Sequence, residues 1–406
     1  MKPHGYGGKV IRVDLTTGTL IEEPTEKYAR DWVGGRGINE WILFNELDPE
    51  CGPLEPENIF TIGVGPLVGT LSPFCSSGCS SNWSSNSSSA NCGGHFGAEM
   101  KYAGYDNLVF TGRSEKPVYL WLCDGKAELR DASHLWGLTT WETEKRIRTN
   151  ERDNEVRVIG IGQAGENLVR SACVMSDRAK AAGGSGGGAV MGSKKLKGIV
   201  LAGTKRVRGK KPEEIKKLSK AYANKMRKAN LPGFFKGGLL PLVGKLTAKA
   251  KKVGPVDGMT TAMMFKKYGS IVNNTLGVVN GDSPLRNWSG SVKNYPKKQY
   301  KKLNPEFGIA RETRKYHCNS CIIGCGGIAD IRDINNGEFE HTHKPEYETV
   351  CMFGGNILND DYDKIHTINE LLNRGGLDTI SAGATVAFAI ECYEKGILTK
   401  ADTDGL

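Results

Sequence analysis

The chain has 406 residues, of which 38% are hydrophobic and 25% charged, with 11 cysteines and a net charge of +10 at pH 7. That length exceeds what one hydrophobic core usually serves, so two or three domains are expected. The clustered cysteines and a start without an apolar leader (Met1-Lys-Pro-His-Gly-Tyr-Gly-Gly) argue against a secreted disulfide framework. No apolar run approaches the ~18 residues of a membrane span, and a reducing cytoplasm is the expected compartment.

Residues 9–15 alternate, turn at Thr16-Thr17-Gly18 and return over 19–23, the pattern of a hairpin. Residues 58–63 and 107–111 are short apolar strands. Residues 118–123 and 126–130 flank Asp124-Gly125, the strongest two-residue hairpin signal. Strands at 156–161 and 198–202 complete a β half in which 140–148 is the clearest helix. From Pro212 the period changes: Ile215, Leu218, Tyr222 and Met226 recur at helical spacing. Ile365, Ile368, Leu371 and Leu372 mark a second helix, and Val386, Ala389, Ile390 and Tyr393 a third, ended by Gly396. The expected fold class is α+β, a β-rich domain over residues 1–210 followed by a mostly helical domain over 211–406. Strand–helix alternation, the mark of a doubly wound sheet, is not the pattern.

Two glycine-rich stretches, residues 84–97 and 181–195, interrupt the β half. Backbone without side chains permits close approach to a phosphate or heterocycle, with N–H groups as donors. A flexible linker is the other reading; each stretch leads straight into patterned apolar sequence, which favours ligand loops. Gly160-Ile-Gly-Gln-Ala-Gly165 matches the dinucleotide fingerprint and follows a strand, but the fingerprint needs a helix next. Residues 167–175 read as another strand, so a turn between antiparallel strands and no nucleotide binding are expected.

Lysine and arginine dominate residues 205–252, with Lys297-Lys298 and Lys301-Lys302 beyond. A docking face for an acidic partner such as a small ferredoxin, or for nucleic acid, competes with a merely solvated helix face. No aromatic platform interleaves the lysines as a single-strand binder requires, which favours the solvated face. The most informative run is Tyr316-His-Cys-Asn-Ser-Cys-Ile-Ile-Gly-Cys-Gly-Gly327. Its C-x2-C-x3-C spacing sets Cys318, Cys321 and Cys325 on one tight turn, and the glycines at 324, 326 and 327 let backbone curl around a bulky ligand. Three corners of an iron–sulfur cube are held this way. A zinc site, usually built from two separated pairs, and plain buried thiols are the alternatives.

In this order the motifs resemble the aldehyde:ferredoxin oxidoreductase family of tungsten enzymes. The matches are Gly34-Gly-Arg-Gly37, Asn91-Cys-Gly-Gly-His-Phe-Gly-Ala-Glu-Met-Lys-Tyr-Ala-Gly-Tyr-Asp106, Gly165-Glu-Asn and Gly188-Ala-Val-Met-Gly-Ser-Lys-Lys-Leu-Lys-Gly198. The three-cysteine turn, Lys344-Pro-Glu-Tyr-Glu-Thr349 and Gly376-Leu-Asp-Thr-Ile-Ser-Ala-Gly383 continue them. The resemblance implies a tungsten (or molybdenum) bis-pterin cofactor, magnesium bridging the pterin phosphates, and a [4Fe-4S] cluster. A two-sheet N-terminal domain forms the base under the pterins. The implied activity oxidises aldehydes to carboxylates, with electrons passed to ferredoxin or a small iron–sulfur subunit in a homo- or hetero-oligomer. A branch of the family instead forms the active-site subunit of complexes that reduce benzoyl-CoA. Carried over by position, Cys318, Cys321 and Cys325 hold the cluster. Asn91, Gly93, Gly94, Gly187, Gly188 and Ala189 line the pterins, with Asn373, Leu377 and Asp378 in the pterin motif. Glu346 and Glu348 lie where the family places an acid near the metal, each set against the reading of an ordinary surface carboxylate.

Departures accompany the resemblance. Asn373 stands for the motif's first aspartate, and Ser76–Ser80 and Gly183–Ser185 replace arginines that meet cofactor phosphates or bridge to the cluster. Ten serines fall between Ser72 and Ser89. Family members continue for about 200 residues beyond residue 406, a domain's worth, which carry the fourth cluster cysteine; Cys351 and Cys392 do not match its context. Three readings follow: a fragment of a longer chain, a chain whose remainder another chain supplies, or a truncated, cofactor-free scaffold.

Overall fold

The alternation of residues 9–23 becomes strands β1 (Lys9–Asp14) and β2 (Thr19–Pro24), antiparallel with Asp14 opposite Thr19. The Asp14 carboxylate closes the turn by accepting the Thr16 N–H at 2.9 Å and the Thr17 hydroxyl at 2.9 Å. The computed structural model describes residues 4–72, 77–81, 88–151, 155–233, 235–242, 246 and 257–405. These fall into two units. The first is residues 1–222 together with Cys318–Cys321 and Asn373–Asp378; the second is the remainder. Residues 73–76 and 82–87 of the serine-rich run lie outside the described residues.

Two six-stranded sheets make the first unit. One has the order β2-β1-β6-β3-β4-β5, with β3 (Phe60–Val64), β4 (Ser77–Ser81), β5 (Ser88–Cys92) and β6 (Tyr105–Thr111). The other has the order β11-β10-β9-β12-β7-β8, with β7 (Val118–Cys123), β8 (Lys126–Asp131), β9 (Arg157–Gly160), β10 (Val174–Ser176), β11 (Lys180–Ala182) and β12 (Leu196–Ala202). Each sheet contains one parallel pair, β1 with β6 and β7 with β12. Ile11, Phe60, Ile62 and Phe110 of the first sheet share a core with Leu120, Ile159, Ile199 and Leu201 of the second. Each is fully buried, worth ~1.5–3 kcal/mol per side chain.

The β half contains more helix than its pattern announces. Helices α1 (Glu26–Trp32), α2 (Arg36–Glu46), α3 (Phe96–Tyr102), α4 (Thr140–Glu151), α5 (Gln163–Glu166) and α6 (Gly187–Ser193) interrupt the strands. Several span one or two turns, too short for a period of 3.6 to register. The expected strand over 167–175 reduces to β10, and a one-turn helix, α5, precedes it. Three lysines, Lys101, Lys194 and Lys197, are fully buried. Each is answered, as a buried ammonium must be: Lys197 by Glu166, Lys194 by the carbonyls of Pro56 and Gly112, and Lys101 by Asp106 and the carbonyls of Gly5 and Gly65.

Helix α7 (Pro212–Lys228) begins at its proline, as expected, and runs across the division between the units. Its apolar stripe is largely uncovered: Met226 is buried, but Leu218 is 71% exposed. The second unit contains α8 (Gly258–Tyr268), α9 (Asn274–Asn280), α10 (Pro305–Ala310), α11 (Tyr347–Phe353), most of α12 (Tyr362–Gly375) and α13 (Thr379–Glu394). It also holds a three-stranded antiparallel sheet of β13 (Glu312–Tyr316), β14 (Gly326–Asp330) and β15 (His341–His343), which the helical pattern did not announce. The α+β class stands. Among the described residues, no helix is long and apolar enough to cross a membrane.

Candidate functional site

The dinucleotide-like run is a packing device. A Cβ at Gly160 would sit 2.6 Å from the Lys197 carbonyl oxygen on β12, and one at Gly165 would sit 2.8 Å from the Gly188 carbonyl oxygen on α6. A Cβ at Gly162 would sit 2.6 Å from the Gly375 carbonyl carbon. These glycines admit neighbouring backbone, and the one-turn α5 is too short to present a phosphate site.

What Gly162 admits is the segment Asn373–Asp378, which is far away in sequence. Ala172 and Leu377 form an antiparallel bridge, with the Cys173 N–H donating to the Gly376 carbonyl (2.8 Å) and the Asp378 N–H to the Ser171 carbonyl (2.9 Å). The Thr140 hydroxyl donates to the Asn373 carbonyl at 2.9 Å. Arg374 and Arg178 both stack on Trp141, at 4.4 and 4.5 Å from its ring centre. Asn373 and Asp378 are buried. A Cβ at Gly183 would sit 2.9 Å from Asp378 Oδ1 and 3.2 Å from Cys173 Sγ. Burial first, and then the Asp378 charge, push the Cys173 thiol well above its ordinary pKa, so it is a neutral, inert wall.

The second glycine stretch corrects an expectation. Gly187, Gly188 and Ala189 are a buried part of helix α6 rather than an open loop. A Cβ at Gly188 would sit 2.7 Å from the Ala172 carbonyl carbon, whereas one at Gly187 would make ordinary contacts at 3.5 Å with Phe60 and Val174. Close helix packing accounts for Gly188 by itself. The loop before α6 is where backbone turns left-handed, at Gly184 (φ +73°) and Gly186 (φ +67°).

In the first stretch, Asn91 is exposed on β5 and pairs with Gly78. Beyond it, Gly93 and Gly94 meet the cysteine turn. A Cβ at Gly93 would lie 3.1 Å from Cys318 Sγ and 3.7 Å from Lys180 Cδ. Gly94 has φ +95°, and a Cβ there would run into the Asp177 carboxylate, which accepts the His95 N–H at 2.7 Å. The Asn319 N–H donates to the Gly94 carbonyl at 3.1 Å. The turn itself is closed by the Cys321 N–H on the Cys318 carbonyl (3.0 Å), with Ser320 left-handed at φ +54°.

The cysteines lie in the loop that joins β13 to β14, where Tyr316 pairs with Gly326. All three are half-buried. Cys318 and Cys321 fall in the first unit and Cys325 in the second. Of the glycines expected to curl around a ligand, only Gly324 is left-handed (φ +65°). Gly326 and Gly327 are strand residues whose missing Cβ atoms make room for the Tyr316 ring and Glu312.

Composition and spacing gave no sign of the lysines that flank these cysteines. Lys180 lies beside Gly93 in the first unit. In the second, a Cβ at Gly269 would lie 2.6 Å from the Cys325 carbonyl oxygen and 3.1 Å from Lys344 Cε. Buried Lys344 pairs with Glu312 at 2.9 Å. Burial, and next the Lys344 charge, lower the Lys315 pKa, while Glu312 and the Cys325 thiol raise it.

Glu346 and Glu348 belong to the second unit and are exposed. The Ser270 hydroxyl donates to Glu346 and accepts the Tyr347 N–H at 3.0 Å, so this pair caps α11. Among the described residues of that unit the buried acid is Glu370 on α12, fully enclosed, which motif reasoning passed over.

Among the described residues, no three His, Cys, Asp or Glu side chains gather closely enough for one metal ion. A cube places each thiolate on a different iron, so it needs a spread of ligands rather than one focus. The approach of Gly93 to Cys318, with Lys180 alongside, fits such a group. The closely packed Gly183 and Asp378 fit a cofactor edge that hydrogen-bonds a buried carboxylate.

The N-terminal domain of aldehyde ferredoxin oxidoreductase matches residues 10–203, and domains 2 and 3 of that protein match residues 245–406. The tungsten-containing aldehyde ferredoxin oxidoreductase of Pyrococcus furiosus is 38% identical over 399 residues, covering 97% of this chain and 60% of that protein. That of Thermococcus kodakarensis is 38% identical over 402 residues, covering 98% and 60%. The aliphatic sulfonate oxidoreductase, WOR-like subunit, of P. furiosus is 30% identical over 420 residues, covering 98% and 61%. Among solved structures, the active site complex BamBC of benzoyl coenzyme A reductase with 1,5-dienoyl-CoA superposes with a TM-score of 0.77 at 28% identity, covering 99% of this chain and 58% of that one. The chain thus spans about 60% of the length of the curated relatives it matches.

Proposed function

Because this chain belongs to the aldehyde ferredoxin oxidoreductase family, we propose that it forms the cofactor-binding part of a tungsten (or molybdenum) bis-pterin oxidoreductase. The reaction is oxidation of an aldehyde to a carboxylate, with electrons leaving through a [4Fe-4S] cluster to ferredoxin. The observation that carries the reading is the joining, within one unit, of Cys318 to Gly93 and of Asp378 to Gly183. Two segments remote in sequence reach the same glycine-rich base, at the positions where the family's motifs lie.

Cys318, Cys321 and Cys325 would supply cluster thiolates, and the Lys180 ammonium would offset their negative charge. Gly93 and Gly94 would let the cysteine turn and a pterin share one loop. Asp378 would accept hydrogen bonds from a pterin ring; Asn373, on the same segment, can both accept and donate. Magnesium bridging the pterin phosphates belongs to the same proposal. When bound, a dithiolene-held metal supplies two-electron exchange with substrate and the cluster supplies single-electron relay. For proton handling, the exposed Glu346 and Glu348 remain candidates, each able to take a proton from water or substrate.

A second reading, a reductive active-site subunit of a larger complex, is favoured by the structural likeness to the benzoyl coenzyme A reductase complex. Metal and iron analysis of the purified protein, followed by viologen dye reduction with aldehydes, separates the two. Iron and tungsten with aldehyde-dependent dye reduction support the first. Metal without it favours the second, and protein free of both metals leaves a scaffold. Replacing Cys321 by Ser should remove one thiolate, lower iron content and change the reduced-state EPR signal; an unchanged signal refutes the cluster assignment.

A further inference from the structure

A cleft of about 570 Å³ in the first unit is lined by Leu71, Lys205, Arg206, Arg208, Lys216 and Ser320, among others. Ser320 lies between Cys318 and Cys321, and its hydroxyl donates to the Thr70 carbonyl at 2.9 Å. The wall of the cleft is therefore fastened to the turn that carries two of the three cysteines. Lys205, Arg206, Arg208 and Lys216 are exposed.

The charge around the cleft is one-sided. Residues 205–220 contain eight lysines and arginines against two glutamates, Glu213 and Glu214. Those glutamates pair with Lys216 at 3.8 Å and Lys211 at 3.0 Å. Lys205 is partly offset by Glu22 and Asp124, which leaves Arg206 and Arg208 as the strongest part of the field. Beside them Leu71 is 55% exposed. A cation rim around an apolar contact steers and seats an acidic protein surface.

We infer that this cleft is the docking face for a small, acidic, one-electron carrier protein of the iron–sulfur class. The inference rests on the reading of Cys318 and Cys321 as cluster ligands. Electron exchange falls off steeply with distance, so a carrier must seat beside the turn that holds its donor. In each encounter one electron leaves the donor and the oxidised carrier is reduced by one; no bond forms and no proton need cross. Nucleic acid fits the cleft poorly. Among the described residues its one aromatic lining residue is Tyr102, whose hydroxyl is committed to the Gly69 carbonyl at 3.1 Å, and no second described ring lines the cleft to build a stacking platform.

The test measures binding of an oxidised acidic bacterial-type ferredoxin to the intact purified protein at low and high salt, with iron content determined on the same samples. Wild-type affinity should fall as salt rises. The double variant Arg206→Glu/Arg208→Glu should bind at least about tenfold more weakly, a loss of ~1.4 kcal/mol, with iron content and circular dichroism unchanged. Lys297→Glu/Lys298→Glu, a basic pair of the second unit, should bind as wild type. Equal ferredoxin binding by the Arg206/Arg208 variant and wild type, both carrying iron, overturns the docking face while leaving the cluster reading intact. A single-stranded oligonucleotide that displaces the ferredoxin from this face and binds more tightly also overturns it. Wild-type protein that carries no iron defeats the cluster reading itself, a result the iron assay reports separately.

Discussion

The Asn319 N–H donates to the carbonyl oxygen of Gly94 at 3.1 Å, binding the cysteine turn to the loop after β5 across more than two hundred residues of sequence. Gly94 holds this geometry at φ +95°, and its missing Cβ leaves room for the Asp177 carboxylate. One glycine thus serves two partners, the cysteine turn through its carbonyl and Asp177 through its absent side chain, while making the left-handed bend.

Gly94→Val should therefore cost stability and iron together. Forcing a β-branched residue into the left-handed region costs about 1–3 kcal/mol, and the clash with Asp177 adds to it. Urea midpoints and iron per chain check this. A variant with full iron content and unchanged midpoint would show that the loop does not support the turn.

The glycines of α6 should divide. Gly187→Ala places a Cβ at ordinary contact distance in a helix, where alanine is favoured over glycine by ~0.5–1 kcal/mol. Gly188→Ala drives a Cβ to 2.7 Å from the Ala172 carbonyl carbon, in a backbone that cannot swing away. Thermal melts should show Gly187→Ala at or above wild type and Gly188→Ala well below it. If both fall equally, close packing against the Ala172 backbone is not what selects glycine.

If Cys318 and its neighbours hold the proposed cluster, removing the Lys180 charge should lower that cluster's reduction potential, since a nearby cation favours the more negative, reduced state. At the separation set by Gly93, the effect is on the order of 1 kcal/mol, or ~40 mV for one electron. Redox titration of Lys180→Gln against Lys180→Arg, monitored by EPR, separates charge from packing. A potential unmoved in Lys180→Gln rules out the electrostatic role.

His366 on α12 should make the protein acid-sensitive. It is fully buried, with Nδ1 3.0 Å from the Tyr362 carbonyl oxygen, and burial holds its pKa down to about 4. Below its ordinary value near 6.5 the unfolded chain takes a proton that the folded chain refuses. The stability it confers is whole above pH 6.5 and is lost as pH falls toward 4, about 1.4 kcal/mol per pH unit over that window. Urea unfolding at pH 7 and pH 5 should show this slope in wild type and a flatter one in His366→Gln. Equal slopes would mean that His366 is solvated in the native state.

Much of this molecule was legible in its residues. Both hairpins appear within a residue of their expected ends, because alternation and turn chemistry act over a few neighbours: Asp14 with Thr16 and Thr17, and Asp124 with Gly125. The spacing of Cys318, Cys321 and Cys325 marked a tight turn, since a motif contained in one loop is written contiguously. Other features had no local signature. Gly160, Gly162 and Gly165 spell a nucleotide fingerprint, yet each answers to a different backbone, and only folding brings Gly375 and Gly188 against them. Leu218 and Tyr222 recur at helical spacing but stand exposed, because periodicity specifies that a face is apolar and not what covers it. Lys180 lies beside Gly93, whose absent side chain also faces Cys318, an arrangement that joins distant stretches of chain. The sequence by itself determined the two hairpins and the contiguous spacing of the cysteine turn, features of short range. Tertiary structure alone decided which glycine, lysine and carboxylate stand together, because those contacts exist only once remote backbone is packed.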